Sequence, residues 1–390
     1  MGRAKKSSGS RKPKHHNKPK PSVAAASTSL DSDSPEPQIP SLLNENADIP
    51  STETTPLFSV SHLPQKGLAL VATSPIPAGT RILSEEPVLT LPPKYTALLA
   101  AGTYKPVLKA LTEQYNDLAP EQREQVLLLS NPLANDFPHS LLGTFVSNAR
   151  ELDEVSGMGL ALNVARVNHS CVPNAVTHWN RETECLNLHA VRDIEVGEEV
   201  TLGYIMLVKS GVERRRELRE RWRFDCKCEA CMLAPENQED EEMEVDGEKE
   251  EGEKKVTEAD RDKLISSLLA LHPHIQHRDT LPYKVSLRCR EKALKLFQQL
   301  HIAGQEITTC LFGAAMKATE AKDEARKGFF LQMVYENILM TEGLDSLETV
   351  LSAPGLPGYM EVQDLGKESI EEGKFEDWLW GDDRVAVASA

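Results

Sequence analysis

The chain has 390 residues, 40% of them apolar, and its 44 Lys and Arg against 60 Asp and Glu leave a net charge of -16. That length can bury a sizeable core, as a main globular unit with a second, smaller one. No apolar run of 18 or more residues lacks charge and the N-terminus has no apolar signal region. Both facts argue against a membrane span and secretion, and an odd seven cysteines point to thiols or thiolate ligands in an intracellular, reducing compartment.

In chain order, the basic, Pro/Ser-rich "GRAKKSSGSRKPKHHNKPKP" opens an arm over residues 1–55 that is expected to be disordered, because its composition cannot repay ordering. It reads equally as an import or nucleic-acid segment and as a solvated tail. "MGRAKK" is no myristoylation signal, since Lys6 stands where Ser or Thr is required. Folded structure is expected from about Phe58. "KGLALVATSPIPAGTRILSEEPVLTLP" has short β-type runs cut by Pro and Gly, so it predicts strands and turns. From about residue 94 to 151 the pattern turns helical, with Pro120 near a helix start and Glu121 in its first turn. Strands resume at "ECLNLHAVRDIEVGEEVTLGY", where Leu186, Leu188 and Ala190 share one face and Asn187 and His189 the other.

"SGVERRRELRERWRF" predicts a charged helix, followed by a second segment expected to be disordered, the acidic 235–255. Beyond it, Cys289, Ala293, Leu296, Phe297 and Leu300 recur at helical spacing. Two more helices are expected over Ile307 to Ala321 and Ala325 to Met340, with Gly343 as a stop. This region, 256–350, reads as a helical domain, either a tetratricopeptide-like array or a plain bundle, since no 34-residue repeat is evident. Residues 351–390 are left as a C-terminal tail.

"CKCEAC" supplies Cys226, Cys228 and Cys231 at spacings that suit one tetrahedral ion, one ligand short of a structural zinc site. Cys171 is the best candidate for the fourth ligand and Cys185 the next. Cys289 and Cys310 lie on helical apolar patterns and read as core thiols.

Three blocks in this order, "RVNHSCVPN", "GEEVTLGY" and "CKCEAC", resemble a SET-domain protein lysine methyltransferase. "VRDIEVGEEVT", "ERRRELRERWRFDCKCEAC" and "GTFVSNARELDEVSGMGLALNVARVNHSC" resemble its SMYD-like branch, over roughly Leu57 to Met232. The lack of cysteines between Glu86 and Leu160 implies a relative without the MYND zinc finger, of the kind fungi carry.

The resemblance implies an α+β fold: a SET-type core of small sheets with a pseudoknot over residues 57–208, a helical insert at 94–151, a zinc-bound post-SET segment at 209–234 and the helical C-terminal region. It further implies that S-adenosylmethionine binds near Lys66, Gly67, Leu68, Ala69, Asn168, His169, Tyr204 and Phe224. Tyr204 would be the catalytic tyrosine, and Cys171, Cys226, Cys228 and Cys231 would hold structural zinc. Trp222 joins Phe224 in the aromatic wall. The implied partner is a protein with a target lysine, histone tails being candidates that suit an acidic enzyme. Neither DNA contact nor a membrane is required, and nucleus or cytoplasm would serve.

The residue types fit that chemistry independently. Methyl transfer to lysine needs a neutral amine, although free lysine titrates near pH ~10.4, so an apolar channel and a fixed tyrosine hydroxyl are apt. Glu198 and Glu199 read as turn and solvent residues, not as an acid/base pair. Two positions depart from the family pattern. Ala69 stands for a common second glycine and would restrict the backbone if positive φ were required there. Gly203 stands where serine, cysteine or aspartate is usual. They keep an inactive SET-fold scaffold as the alternative to an enzyme.

Overall fold

The computed structural model describes residues 56–232, 257–276, 279–346 and 375–381, all in one compact unit, Thr54–Ala390. The expected basic arm, the acidic linker and most of the tail lie outside the described residues.

The first part is built from small sheets. Strands β1 (Phe58–Leu63) and β2 (Gly67–Ala72) form an antiparallel hairpin whose turn places Gln65 at φ 63° and Gly67 at φ 78°. β3 (Arg81–Glu85) and the hairpin of β8 (Ala175–Asn180) with β9 (Cys185–Ala190) make a three-stranded antiparallel sheet in the order β3-β9-β8. A second one joins β4 (Leu89–Leu91), β6 (Met158–Leu160) and β5 (Arg150–Glu151) in the order β4-β6-β5. Between β4 and β5 run four helices, α1 (Pro93–Ala100), α2 (Tyr104–Asp117), α3 (Pro120–Leu127) and α4 (Ser140–Asn148), as the helical periodicity predicts. Pro93 and Pro120 start theirs, where the missing N–H costs nothing. The insert buries Val107, Leu111, Leu142 and Phe145 against Leu89, Leu91 and Leu160.

Two two-residue strands, β7 (Asn168–His169) and β10 (Thr201–Leu202), pair in parallel. So short a ladder needs other support, and Asn174 provides it. That side chain is 1% exposed, donates to Glu198 Oε1 and the Glu199 carbonyl at 2.9 Å each, and accepts from the Thr201 N–H at 2.8 Å. The Asn-His-Ser-Cys and Pro-Asn parts of one motif thus grip the same neighbouring segment.

Helix α5 (Gly211–Trp222) opens on a capping box of Ser210 and Glu213 and ends at Arg223, whose φ of 58° turns the chain into the cysteine segment. Beyond the acidic linker stand α6 (Glu258–Ile275), α7 (Tyr283–Gln299), α8 (Gln305–Ala321) and α9 (Glu324–Glu342), the last stopped at Gly343 as expected. Their apolar seams form the second core, through Leu287, Leu311, Phe330 and Val334 and through Ala293, Leu296 and Phe297. Residues 375–381 are more than tail. A short helix, α10 (Phe375–Leu379), brings Trp378, Leu379 and Trp380 into this core, and the Trp378 carbonyl accepts from Arg326 Nε and Nη2 at 2.9 and 2.6 Å.

The alternating pattern of β9 suggests one polar face, yet Asn187 and His189 are buried, because α9 packs across that face. Burial, with Arg81 beside it, pulls His189 down to about 4, and burial also holds His178 at about 4. Among the described residues no helix is long and apolar enough to cross a membrane.

Candidate active site and metal centre

The cysteines come first, because they fix everything around them. Cys171, Cys226, Cys228 and Cys231 put their sulfurs within 4.8 Å of one another, with Cys171 and Cys231 3.6 Å apart. Four thiolates each about 2.3 Å from one tetrahedral ion stand about 3.8 Å from each other, so the quartet has the size of a zinc site. All four are free thiols. Hydrogen bonds from Cys171, Cys226 and Cys231 push the Cys228 thiol far down, and hydrogen bonds to the other three sulfurs raise Cys171. Only a bound cation lets all four ionise together, and the donor set therefore fits zinc. Cys185 stays outside, its thiol on the Thr183 carbonyl, and Cys310 is a buried core thiol.

The same segment reaches from the cysteines to the tyrosine. Tyr204 N–H donates to His169 Nδ1 at 3.0 Å, which leaves the imidazole proton on Nε2, 3.3 Å from Cys171 Sγ. Burial, aided by Arg150 and Arg214 and opposed by Cys228, holds His169 down at about 4, so it is a neutral spacer. The Tyr204 hydroxyl donates to the Val167 carbonyl at 2.6 Å. With its proton committed there, the oxygen presents lone pairs to whatever lies beside it. Burial raises this phenol above its ordinary value, so it stays protonated. The rings of His169 and Trp222 each stand 5.4 Å from the Tyr204 ring, and Phe224 stands 6.1 Å from His169. Trp222 is itself pinned by its indole N–H on the Ser147 carbonyl at 3.2 Å.

A third group lies by the β1–β2 turn. Asn168 Nδ2 donates to the Leu68 carbonyl at 3.3 Å and to Glu199 Oε1 at 2.9 Å, and Glu199 also pairs with Lys66. Gly67 has open space where a Cβ would stand. Lys227, between two of the cysteines, donates to Gln65 Oε1 at 2.8 Å, tying the metal segment to this turn. Lys66, Gly67, Leu68 and Asn168 are thus one linked frame, and His169, Tyr204 and Phe224 are an aromatic cluster beside it. Ala69 is fully buried in β2 and has no positive φ, so the backbone restriction that an alanine would impose does not arise. At Gly203 a Cβ would meet only Leu207 at ordinary contact distance, so glycine is not sterically demanded.

Sequence reasoning passed over three features. Glu199 is not a solvent residue but joins Lys66 to Asn168, and Glu198 is held by Asn174 and Arg192. Arg150 places its guanidinium 4.3 Å from the centre of the Tyr204 ring. Arg261, only 5% exposed, reaches from α6 to the Cys171 carbonyl at 3.2 Å. Glu199 lies in the GEEVTLGY block and Arg150 in the segment leading to RVNHSCVPN, whereas Arg261 lies outside every motif. Only Glu199 carried a signal, its place in the Gly-Glu-Glu turn.

Residues 67–205 match the SET domain family. Those residues, from β2 to just beyond Tyr204, are the part of this chain that is similar to a SET domain. Histone-lysine N-methyltransferase set5 of Schizosaccharomyces pombe is 29% identical over 349 residues, 84% of this chain and 95% of that one. Human histone-lysine N-methyltransferase SMYD3 is 40% identical over 96 residues, 25% of this chain and 22% of its own length. The chicken (Gallus gallus) protein-lysine N-trimethyltransferase SMYD5 is 32% identical over 143 residues, 35% of this chain and 32% of its own. The matched SET domain ends just beyond Tyr204, and the metal segment and helical region follow it.

Proposed function

We propose that the chain is an S-adenosylmethionine-dependent protein-lysine N-methyltransferase, with histones as its candidate substrates. One observation carries the reading: Tyr204 is fixed by Val167 and walled by His169 and Trp222, next to a metal-sized cysteine quartet. The likeness to set5 over nearly its whole length supports it.

In this reading the frame of Lys66, Gly67, Leu68, Asn168 and Glu199 holds the polar part of the cofactor, and Phe224 flanks its flat part. When bound, S-adenosylmethionine supplies a methyl group activated by its sulfonium. The chain's own contribution is placement. The Tyr204 oxygen accepts an N–H of the substrate amine and turns its lone pair toward the methyl, while Trp222 and Phe224 keep water from the channel. Zinc orders the segment that carries Phe224.

Tyr204→Phe keeps the ring but deletes that oxygen. Labelled-methyl incorporation into histones and a mixed pool of cellular proteins is expected to fall roughly 10²- to 10³-fold, with cofactor affinity unchanged. Equal incorporation by both proteins removes Tyr204 from the reaction. Wild type that binds the cofactor yet labels nothing favours an inactive scaffold.

A further inference from the structure

Arg150 is the charge that the proposed mechanism leaves unused. It opens β5 directly after α4 and lies with its guanidinium 4.3 Å over the Tyr204 ring. Among the described residues two other arginines stack on rings, and each has a carboxylate: Arg221 on Trp222 pairs with Glu217, and Arg326 on Trp378 pairs with Asp323. Arg150 pairs with no carboxylate among the described residues; its buried Nε has no hydrogen-bond partner, and its guanidinium hydrogen-bonds the Tyr204 side chain. A partly buried cation without a counter-ion is costly, so its retention beside the tyrosine calls for a use.

The other charges near the site are set against one another. Glu199 acts on Tyr204 but is taken up by Lys66 and Asn168. The cysteine quartet, which with zinc carries two negative charges, lies behind His169, and the buried Arg261 and Arg214 stand beside it. Arg150 thus makes the space that Tyr204 faces more positive than it would otherwise be. An ammonium entering it is disfavoured, and a neutral amine is not.

We infer that Arg150 is an electrostatic positioning residue for methyl transfer, its fixed charge driving the incoming lysine to shed its proton before it reacts. The inference rests on the methyltransferase reading and deepens it. The ammonium gives its proton to bulk water. The freed lone pair then forms the new N–C bond as the S–C bond breaks, and the sulfonium becomes a neutral thioether. A unit charge several ångströms away through a partly buried site moves such a titration by about one to two pH units.

The test compares wild type, Arg150→Gln and Arg150→Lys as full-length, zinc-loaded proteins on histones, at subsaturating substrate from pH 6.5 to 10. With the cation gone, the rising limb of the rate profile is expected to move up by about one pH unit. Loss near pH 7.5 is then about tenfold and closes toward pH 10. Arg150→Lys keeps the charge and the wild-type limb. Cofactor affinity, measured in parallel, stays constant in all three and shows that each is folded. A loss equal at every pH, or a shifted limb in Arg150→Lys, makes the role structural and overturns the inference. Faster turnover in Arg150→Gln at all pH values makes Arg150 a plug and overturns it too. Wild type without turnover removes the methyltransferase reading and this inference together, whereas wild-type turnover with an unmoved limb removes this inference alone.

Discussion

The small-sheet part, residues 56–232, and the helical part, residues 257–346, are stabilised by different means. In the first, β7 and β10 are two residues long and the metal segment has no regular element longer than a single turn. What holds them is side-chain chemistry: Asn174 across the strands, His169 between Tyr204 and Cys171, and four converging sulfurs. The helical part has four helices of 17 to 19 residues whose apolar seams would pack with or without any particular polar group. One region concentrates its stability in a few atoms, and the other spreads it over many contacts.

Removing one of those few atoms gives the largest expected effect. Cys228→Ser replaces a soft thiolate with a poor ligand, so zinc content should fall from about one per chain to none. Cofactor affinity should fall with it as the segment bearing Trp222 and Phe224 loosens, while the helical part keeps its own melting transition. Metal analysis decides the point. A variant that retains its zinc would show that the four sulfurs are not the ligand set.

This difference also explains what was legible beforehand. Because the small-sheet part is specified by individual residues, its motifs could be read from the chain, down to Cys171 as the partner of a cluster some fifty residues away. The helical part was legible through periodicity, which located α8, α9 and their stop at Gly343. Features made by tertiary contact alone stayed hidden. β9 has the alternation of a half-buried strand, and nothing local announces that α9 covers its second face. Trp378 and Trp380 sit in a polar stretch that reads as tail, yet Arg326 and Phe330 receive them. Arg150 has no sequence signature because its meaning comes from a ring 54 positions later.

The helical part has one exception to its diffuse stability, and it sharpens the contrast. Arg290 is fully buried, donating to the carbonyls of Ile275, Gln276 and Cys310 and to Asp279 Oδ2 at 2.7 Å. Gly313 makes room for it, since a Cβ there would come within 2.1 Å of Nη1. Arg290→Met leaves a buried carboxylate with Lys317 as its nearby cation and the Ser286 hydroxyl and Leu281 N–H as donors, and leaves three carbonyls without this donor. A loss of about 3–5 kcal/mol is expected in chemical denaturation. Zinc content should not change. Loss of metal in this variant would show that the two parts unfold as one, and the contrast drawn between them would fail.

The seam between the two parts gives the smallest effect and the most direct test of their coupling. Where α9 crosses the sheet, His178 Nδ1 lies 3.5 Å from Glu342 Oε2, and Arg81 reaches both His189 and Asp345. Burial first, with Arg81 opposing a second positive charge, pulls His178 from 6.5 to about 4, and Asp345 offsets this only in part. A histidine whose folded value is depressed takes up its proton more readily unfolded, so its contribution is complete above pH 6.5 and disappears as the pH falls toward 4. The drop is about 3 kcal/mol for a shift of this size. His178→Gln removes that titration, so the stability difference between wild type and variant should narrow steadily from pH 7 to pH 4 in denaturant titrations. Because both proteins carry the same cysteines, acid loss of metal cancels in the comparison. A difference constant across that range would mean that His178 is as free to protonate in the folded chain as in the unfolded one, and that α9 does not seal the sheet.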